Sequence, residues 1–338
     1  MDNPQEVAGP PLLDVVNVSK RFVVRGSRQS VTWRRHLTAV DGVSFSLRAG
    51  EITALVGESG SGKSTVARML SRLETPSGGY VNLHGERVRF GVPGGRRAYL
   101  RQVQLIFQDP FASLNPVHTV RYHLERPLRV HQHLRSQQDV ERGVAALLEE
   151  VHLTPPSRFI DCYPHQLSGG QRQRVAIARA LAVAPKVVLA DEPVSMLDVS
   201  IRLGVLNLLA QLVEERGLGL MYITHDIASA RYFAATTHVM YSGQLIESGP
   251  SEDVTQSPRH PYTQLLLESS PDPTRSRKRI PLSALEVAHG NIGTGCRFQP
   301  RCPYAMPRCA EEASPRQAVG GKHWAACWLL APVPADGQ

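Results

Sequence analysis

Val56-Gly57-Glu58-Ser59-Gly60-Ser61-Gly62-Lys63-Ser64-Thr65 fits the spacing G-x-x-x-x-G-K-[ST] at every fixed position. The apolar run 52–56 comes before it and a helical pattern follows, so the segment reads as strand, glycine turn and helix. Glycines at 57, 60 and 62 let backbone N–H groups turn inward around phosphate oxygens with no Cβ in the way. The start of the helix adds its partial positive charge to that cradle. Lys63 is placed to reach β- and γ-phosphates, and Ser64 to offer a hydroxyl to Mg²⁺, with Ser59 and Thr65 completing the loop. A chance glycine turn does not account for four fixed positions in the right context. The segment is a nucleotide site.

Working outward, Val187-Val188-Leu189-Ala190-Asp191-Glu192 supplies a partner for that loop. Four apolar residues in a row read as a strand buried on both faces of a parallel sheet. Asp191 then stands at the carboxyl end of the strand, where such sheets bind ligands, and can hold Mg²⁺. Glu192 follows on the γ-phosphate side, placed to polarise a water. Other short strands are expected at 13–18, 43–47, 103–107 and 220–224, and helices at 63–72, 140–151, 171–183, 201–215 and 227–233. This alternation gives an α/β fold. The segment 117–165 is helix-rich and reads as a helical subdomain inserted in the core. A turn-rich stretch, SSPDPTRSRKR at 269–279, reads as a linker. The expected division is a nucleotide-binding α/β domain over 12–270 and a small Cys-rich extension over 271–338.

Composition excludes some classes. With 42% hydrophobic and 20% charged residues among 338, the chain can bury a core and is not dominated by disorder. No apolar run reaches the roughly 18–20 residues that a spanning helix needs. The first residues, MDNPQEVAGPP, are acidic and Pro-rich, unlike a secretory signal, so a cytosolic chain is expected. The net charge of +8 suits nucleic acid, an anionic membrane or a phosphorylated ligand without choosing among them.

Leu167-Ser168-Gly169-Gly170-Gln171 changes the level of the reading. Ser-Gly-Gly directly before a helix is a second N-terminus able to receive an anion. Together with the phosphate loop it resembles the signature of ABC-type ATPase domains, a P-loop NTPase fold. That resemblance implies roles for further residues, which follow in the family's order. Gln108 matches the glutamine that touches Mg²⁺ and links the site to the transmembrane partner. Ser195-Met196-Leu197-Asp198 matches the loop joining two ATPase subunits, with Met196 where the family usually has Ala. His225 matches the switch histidine at the γ-phosphate. Phe22 is the candidate for stacking on adenine, with Trp33 second.

The resemblance narrows to the peptide-permease group, which imports oligopeptides, dipeptides and sometimes nickel complexes. IFQDPFASLNP at 106–116, YPHQLSGGQRQR at 163–174, ADEPVSMLDVS at 190–200 and HPYTQLL at 260–266 carry it. GKSTVARML and QLIFQDP resemble the second of the paired ATPases in such systems. This implies a heterodimer with another ABC ATPase, each chain closing the other's nucleotide. Ser168, Gly170 and Gln171 of one chain would then meet the phosphate loop of its partner. It also implies two transmembrane permease subunits, an extracytoplasmic substrate-binding protein and a place on the cytoplasmic face of the inner membrane. Glu192 and His225 are then the catalytic pair. Ser64, Gln108 and Asp191 are the Mg²⁺ ligands.

Cys296, Cys302, Cys309 and Cys327 have the spacing C-x5-C-x6-C-x17-C, while Cys162 stands apart. In a cytosolic chain disulfides are disfavoured, which leaves zinc, a cluster or reduced thiols. The spacing lacks the C-x2-C pairs of a zinc ribbon. GCRFQPRCPYAMPRC resembles the extension of peptide-permease ATPases, for which the resemblance implies a [4Fe–4S] cluster.

Lys20, Arg21, Arg25, Arg28, Arg34 and Arg35 make 20–36 basic with no acidic residue. It reads as a solvated loop or a surface facing anionic lipid or the permease. No nucleic-acid motif accompanies the charge, so no nucleic-acid partner is expected. Two other functions fit an ABC ATPase. One is a DNA-repair or translation ATPase, which needs a long coiled coil or tandem cassettes. The other is the accessory ATPase of a carbon–phosphorus lyase complex, against which the Cys-rich tail and the HPYT segment speak.

Overall fold

The computed structural model describes residues 10–25, 34–89, 95–269 and 294–330. Residues 26–33 of the basic stretch, Trp33 among them, and most of the expected linker lie outside them. The chain forms two compact units, and each is discontinuous in sequence. One comprises the described residues of Met1–Val18, Ser44–Ile52 and Val66–Ile223. The other comprises those of Ser19–Val43, Thr53–Thr65 and Thr224–Gln338. The long strands Leu13–Arg25 and Arg34–Leu47 contribute residues to both.

The first unit holds three parallel strands, Val103–Ile106, Val187–Asp191 and Gly219–Thr224, with Val187 opposite both Val103 and Gly219. Val187–Asp191 in the middle and Gly219–Thr224 beside it are buried along most or all of their length, as expected for a parallel sheet covered on both faces. Between 117 and 165 there is no strand. The helices Val120–His131 and Gln137–Glu150 pack there through Leu124, Leu128, Val144, Leu147 and Leu148, all buried. Each starts on a hydroxyl cap, Thr119 and Ser136, whose oxygen accepts an otherwise unpaired N–H of the first turn. The helix Gly169–Leu181 buries Val175, Ile177, Ala178 and Leu181, and it begins two residues before the expected start.

The second unit is built on the strand that leads into the phosphate loop. Ile52–Val56 pairs in parallel with Thr236–Tyr241, Val56 opposite Val239. Gln244–Pro250 turns back antiparallel to Thr236–Tyr241. His323–Ala325 then pairs with Gln244–Pro250, and Gln317–Gly320 with His323–Ala325. The hairpin near the end of the chain therefore extends the same sheet as the phosphate-loop strand. A buried carboxylate joins them. Glu247, fully buried, accepts from His323 Nε2 at 2.8 Å and from the N–H groups of Arg259 and His260 at 2.7 and 2.9 Å.

Candidate nucleotide site

Strand, loop and helix follow as the spacing predicts: Ile52–Val56 is fully buried and the helix Lys63–Leu70 starts at the lysine. Between them the chain turns tightly against its neighbours. Gly62 has φ +106°, and a Cβ there would run into the Ala39 carbonyl and the Met240 side chain. Glycine is what allows this approach. Lys63 is buried, and its Nζ donates to the carbonyls of Gly57 at 2.7 Å and Glu58 at 2.9 Å. The ammonium is thereby held over its own loop, where an incoming phosphate would compete for its three donors. The Ser61 carbonyl accepts from Gly243 N–H at 2.8 Å, which ties the loop to the turn after Thr236–Tyr241.

The carboxylates lie in the other unit. Val187–Asp191 ends half-buried at Asp191, and the chain then bends sharply at Glu192, whose φ of +46° is rare for a residue with a side chain. Glu192 N–H donates to Ile223 O at 3.0 Å, and its carbonyl accepts from Ser195 N–H and Oγ at 3.2 and 3.1 Å. Those bonds hold the bend. Its carboxylate accepts from Gln108 Nε2 at 2.9 Å. The two residues are thus brought together as a pair, and with Nε2 so used the Gln108 Oε1 is the end that can face a cation.

Ser168 caps the helix Gly169–Leu181 reciprocally. Its Oγ accepts from Gln171 N–H at 3.3 Å, and its N–H donates to Gln171 Oε1 at 2.9 Å. The hydroxyl keeps its own hydrogen to donate outward to an anion. Gly170 lies so close to Ile201 that a Cβ would come within 2.6 Å of Ile201 Cγ2. Buried Arg172, which no motif flagged, donates to the Pro164 and Leu167 carbonyls at 2.8 and 2.6 Å and fixes the turn before the signature. Asp198 precedes the helix Val199–Arg216, and Met196, Val199 and Leu203 nearby are exposed.

Residues 40–195 match the family described as ABC transporter, and 246–309 match the oligopeptide/dipeptide transporter C-terminal region. Over 323 residues the chain is 41% identical to the putative oligopeptide transport ATP-binding protein YkfD of Bacillus subtilis (strain 168), spanning 94% of this chain and 95% of that protein. It is 39% identical over 314 residues to the dipeptide transport ATP-binding protein DppF of Escherichia coli (strain K12), spanning 92% of each. The chain belongs to the ABC transporter ATPases. A dimeric, ADP- and phosphate-bound structure of the ATP-binding cassette MJ0796 is similar to it at TM-score 0.61 and 29% identity, covering 71% of this chain and 98% of that one.

In this ABC ATPase the remaining expected residues lie as follows. His225 is exposed. The turn that carries it is held where Asp226 N–H donates to Thr224 Oγ1 and Asp226 Oδ1 accepts from Ala228 N–H, both at 3.0 Å. Phe22 is half-buried with Lys20 Nζ 4.9 Å from its ring centre, so a base stacking there would meet a cation already on that face. No helix among the described residues is long and apolar enough to cross a membrane.

The four tail cysteines line one cavity of about 20 Å³ with Phe298, Tyr304, Met306 and Trp328. They are free thiols. Burial pushes the Cys296 and Cys302 thiols up and Cys327 up to about 11, favouring the protonated form. Among the described residues no group of three or more His, Cys, Asp or Glu forms a metal-holding set. The donor set fits a cluster by kind, and all four cysteines border one cavity.

Proposed function

We propose that this chain is the ATP-hydrolysing subunit that energises import of oligopeptides, dipeptides or related small cargo through a membrane ABC permease. What carries the reading is the coincidence, in one chain, of every ATP-handling motif with a C-terminal region of the oligopeptide/dipeptide transporter type. The relatives named for peptide transport span nearly the whole chain.

Lys63 and the loop N–H groups bind the β- and γ-phosphates. Ser64, Gln108 and Asp191 would hold Mg²⁺, which neutralises charge between those phosphates, and all three offer the oxygen ligands this ion prefers. Glu192 orients and partly deprotonates water, and His225 holds the γ-phosphate side. Ser168, Gly170 and Gln171 serve the nucleotide of a second ABC ATPase, so ATP joins the two chains and hydrolysis lets them part. Asp198 faces the same partner.

The permease is proposed to dock on a groove of about 800 Å³ in the first unit, lined by Arg96, Phe107, Tyr122, Arg126, Val130 and Arg179. Phe107 is next to Gln108, and Gln108 touches Glu192, so the groove is one residue from the catalytic carboxylate. The assembly has two permease subunits and an extracytoplasmic binding protein, and the chain works at the cytoplasmic face of the membrane. Its ATPase portion is 12–270, with the helical subdomain at 117–165, and 271–338 forms the extension. The four tail thiols are proposed to hold a [4Fe–4S] cluster, supported by their convergence on one cavity.

The test is purification of the tagged chain from its own membranes, followed by reconstitution. Two polytopic membrane subunits and ATP-dependent uptake of labelled peptides are expected. Recovery in a soluble lyase complex, or uptake that does not need ATP, would overturn the reading. Iron, sulfide and visible absorption of anaerobically purified protein test the cluster, and a colourless protein with stoichiometric zinc would refute it.

A further inference from the structure

Glu58, the first variable position of the phosphate loop, is held on every polar group it has. Its carboxylate accepts two parallel bonds from Arg301, at 2.7 and 2.8 Å. Its N–H donates to Tyr262 Oη at 2.8 Å. Its carbonyl accepts from Lys63 Nζ at 2.9 Å. Two of these three partners come from far along the chain, one from the helix Pro261–Ser269 and one from between Cys296 and Cys302.

Both distant partners are themselves fixed. The Arg301 side chain is 3% exposed, and its guanidinium lies 5.8 and 5.7 Å from the ring centres of Tyr241 and Phe298. A planar fork buried against aromatic faces sets both the distance and the plane of the carboxylate it binds. Tyr262 is fully buried, its ring packed against Tyr241 and Phe298. Arg297, one step from Cys296, adds a second tie. It bonds Asp41 and the Ser242 carbonyl, beside the Gly243 N–H that holds Ser61.

We propose that Arg301 and Tyr262 are positioning residues of the phosphate loop. Acting through Glu58, they hold the segment that carries Lys63 in the shape that receives the β- and γ-phosphates. The inference rests on the reading of 57–65 as the ATP site. A loop already held costs little ordering on binding, whereas a released loop must be ordered by the nucleotide itself. The loss therefore falls on ATP affinity and KM more than on kcat.

The test uses the full chain, with Mg–ATP binding, KM and kcat measured for R301A, R301K, Y262F, E58A and the R301A/E58A pair. R301A is expected to weaken ATP binding about tenfold, the scale of one lost charged hydrogen-bonding partner, with kcat within about twofold. Y262F is expected to weaken it about threefold, for one neutral bond. R301K should recover only part, because an ammonium is not a fork. With Glu58 already removed, R301A should cost no further affinity. Full additivity in the pair, or unchanged affinity in folded R301A, would overturn the proposal. If R301A does not fold, Y262F decides, and unchanged affinity there overturns it. A wild-type chain that binds no Mg–ATP would instead overturn the nucleotide-site reading beneath it.

Discussion

Gln108 donates its side-chain amide to the Glu192 carboxylate across 2.9 Å, joining the end of one strand of the first unit to the end of its neighbour. On the proposed roles of these two residues, permease-facing and water-facing chemistry share this one hydrogen bond. Glu192→Gln keeps an oxygen for Gln108 to donate to and removes only the base. The expected outcome is ATP binding near the wild-type level with turnover reduced by about 10²–10⁴, the usual worth of general-base catalysis. Phosphate release and equilibrium binding measure the two separately. Near-wild-type hydrolysis would remove Glu192 from the catalytic role.

Lys63→Ala deletes the charge aimed at the phosphates and also the bonds to the Gly57 and Glu58 carbonyls. Mg–ATP affinity or turnover is expected to fall by at least about tenfold. Nucleotide titration followed by a steady-state ATPase assay checks it, and unchanged values in both would argue against the phosphate-loop assignment.

Glu247→Ala leaves His323 Nε2 and two backbone N–H groups without their buried acceptor. The cost is expected to be about 3 kcal/mol, as for leaving buried donors without their hydrogen-bond acceptor. Urea unfolding would show a lower midpoint than wild type. A shift of only a few tenths of a kcal/mol would mean that water reaches the site.

Two buried histidines set an acid limit. Burial holds His238 and His260 down to about 4, and His238 also feels Arg316. His238 Nδ1 pairs with Ser248 Oγ at 2.7 Å, and His260 Nδ1 accepts from Tyr262 N–H at 3.0 Å. Between the unfolded value of about 6.5 and the folded one, the unfolded chain binds more protons. Stability is therefore fully present above pH 6.5 and falls on acidification toward 4, by up to about 1.4 kcal/mol per pH unit for each group. Urea midpoints across this range in wild type and in the paired Asn variants test it, with the variants flatter. A flat wild-type profile would contradict it.

The strand into the phosphate loop and the start of its helix were legible because an apolar run, glycines and a lysine each act locally. The signature helix was read two residues late. Its two glycines look like a loop, yet Ser168 and Gln171 form a capping box that lets them be helical. No strand is expected from the sequence at Thr236–Tyr241 or Gln244–Pro250, because buried polar side chains interrupt the apolar alternation: His238 pairs with Ser248 on the neighbouring strand and Thr237 with Ser251 at the start of the next helix. Arg301 was invisible for another reason. It reads as one more basic residue until the fold sets it against Glu58.

The Arg301–Glu58 bond also orders events in time. Its partners lie 243 positions apart. At about 5–20 residues per second, a ribosome needs on the order of 10 to 50 s to deliver the second after the first. Through that interval the nascent chain already carries its lysine and glycines but not the fork that steadies them. On the proposal for Arg301, an unfinished copy therefore holds nucleotide about tenfold less tightly until its tail has been made.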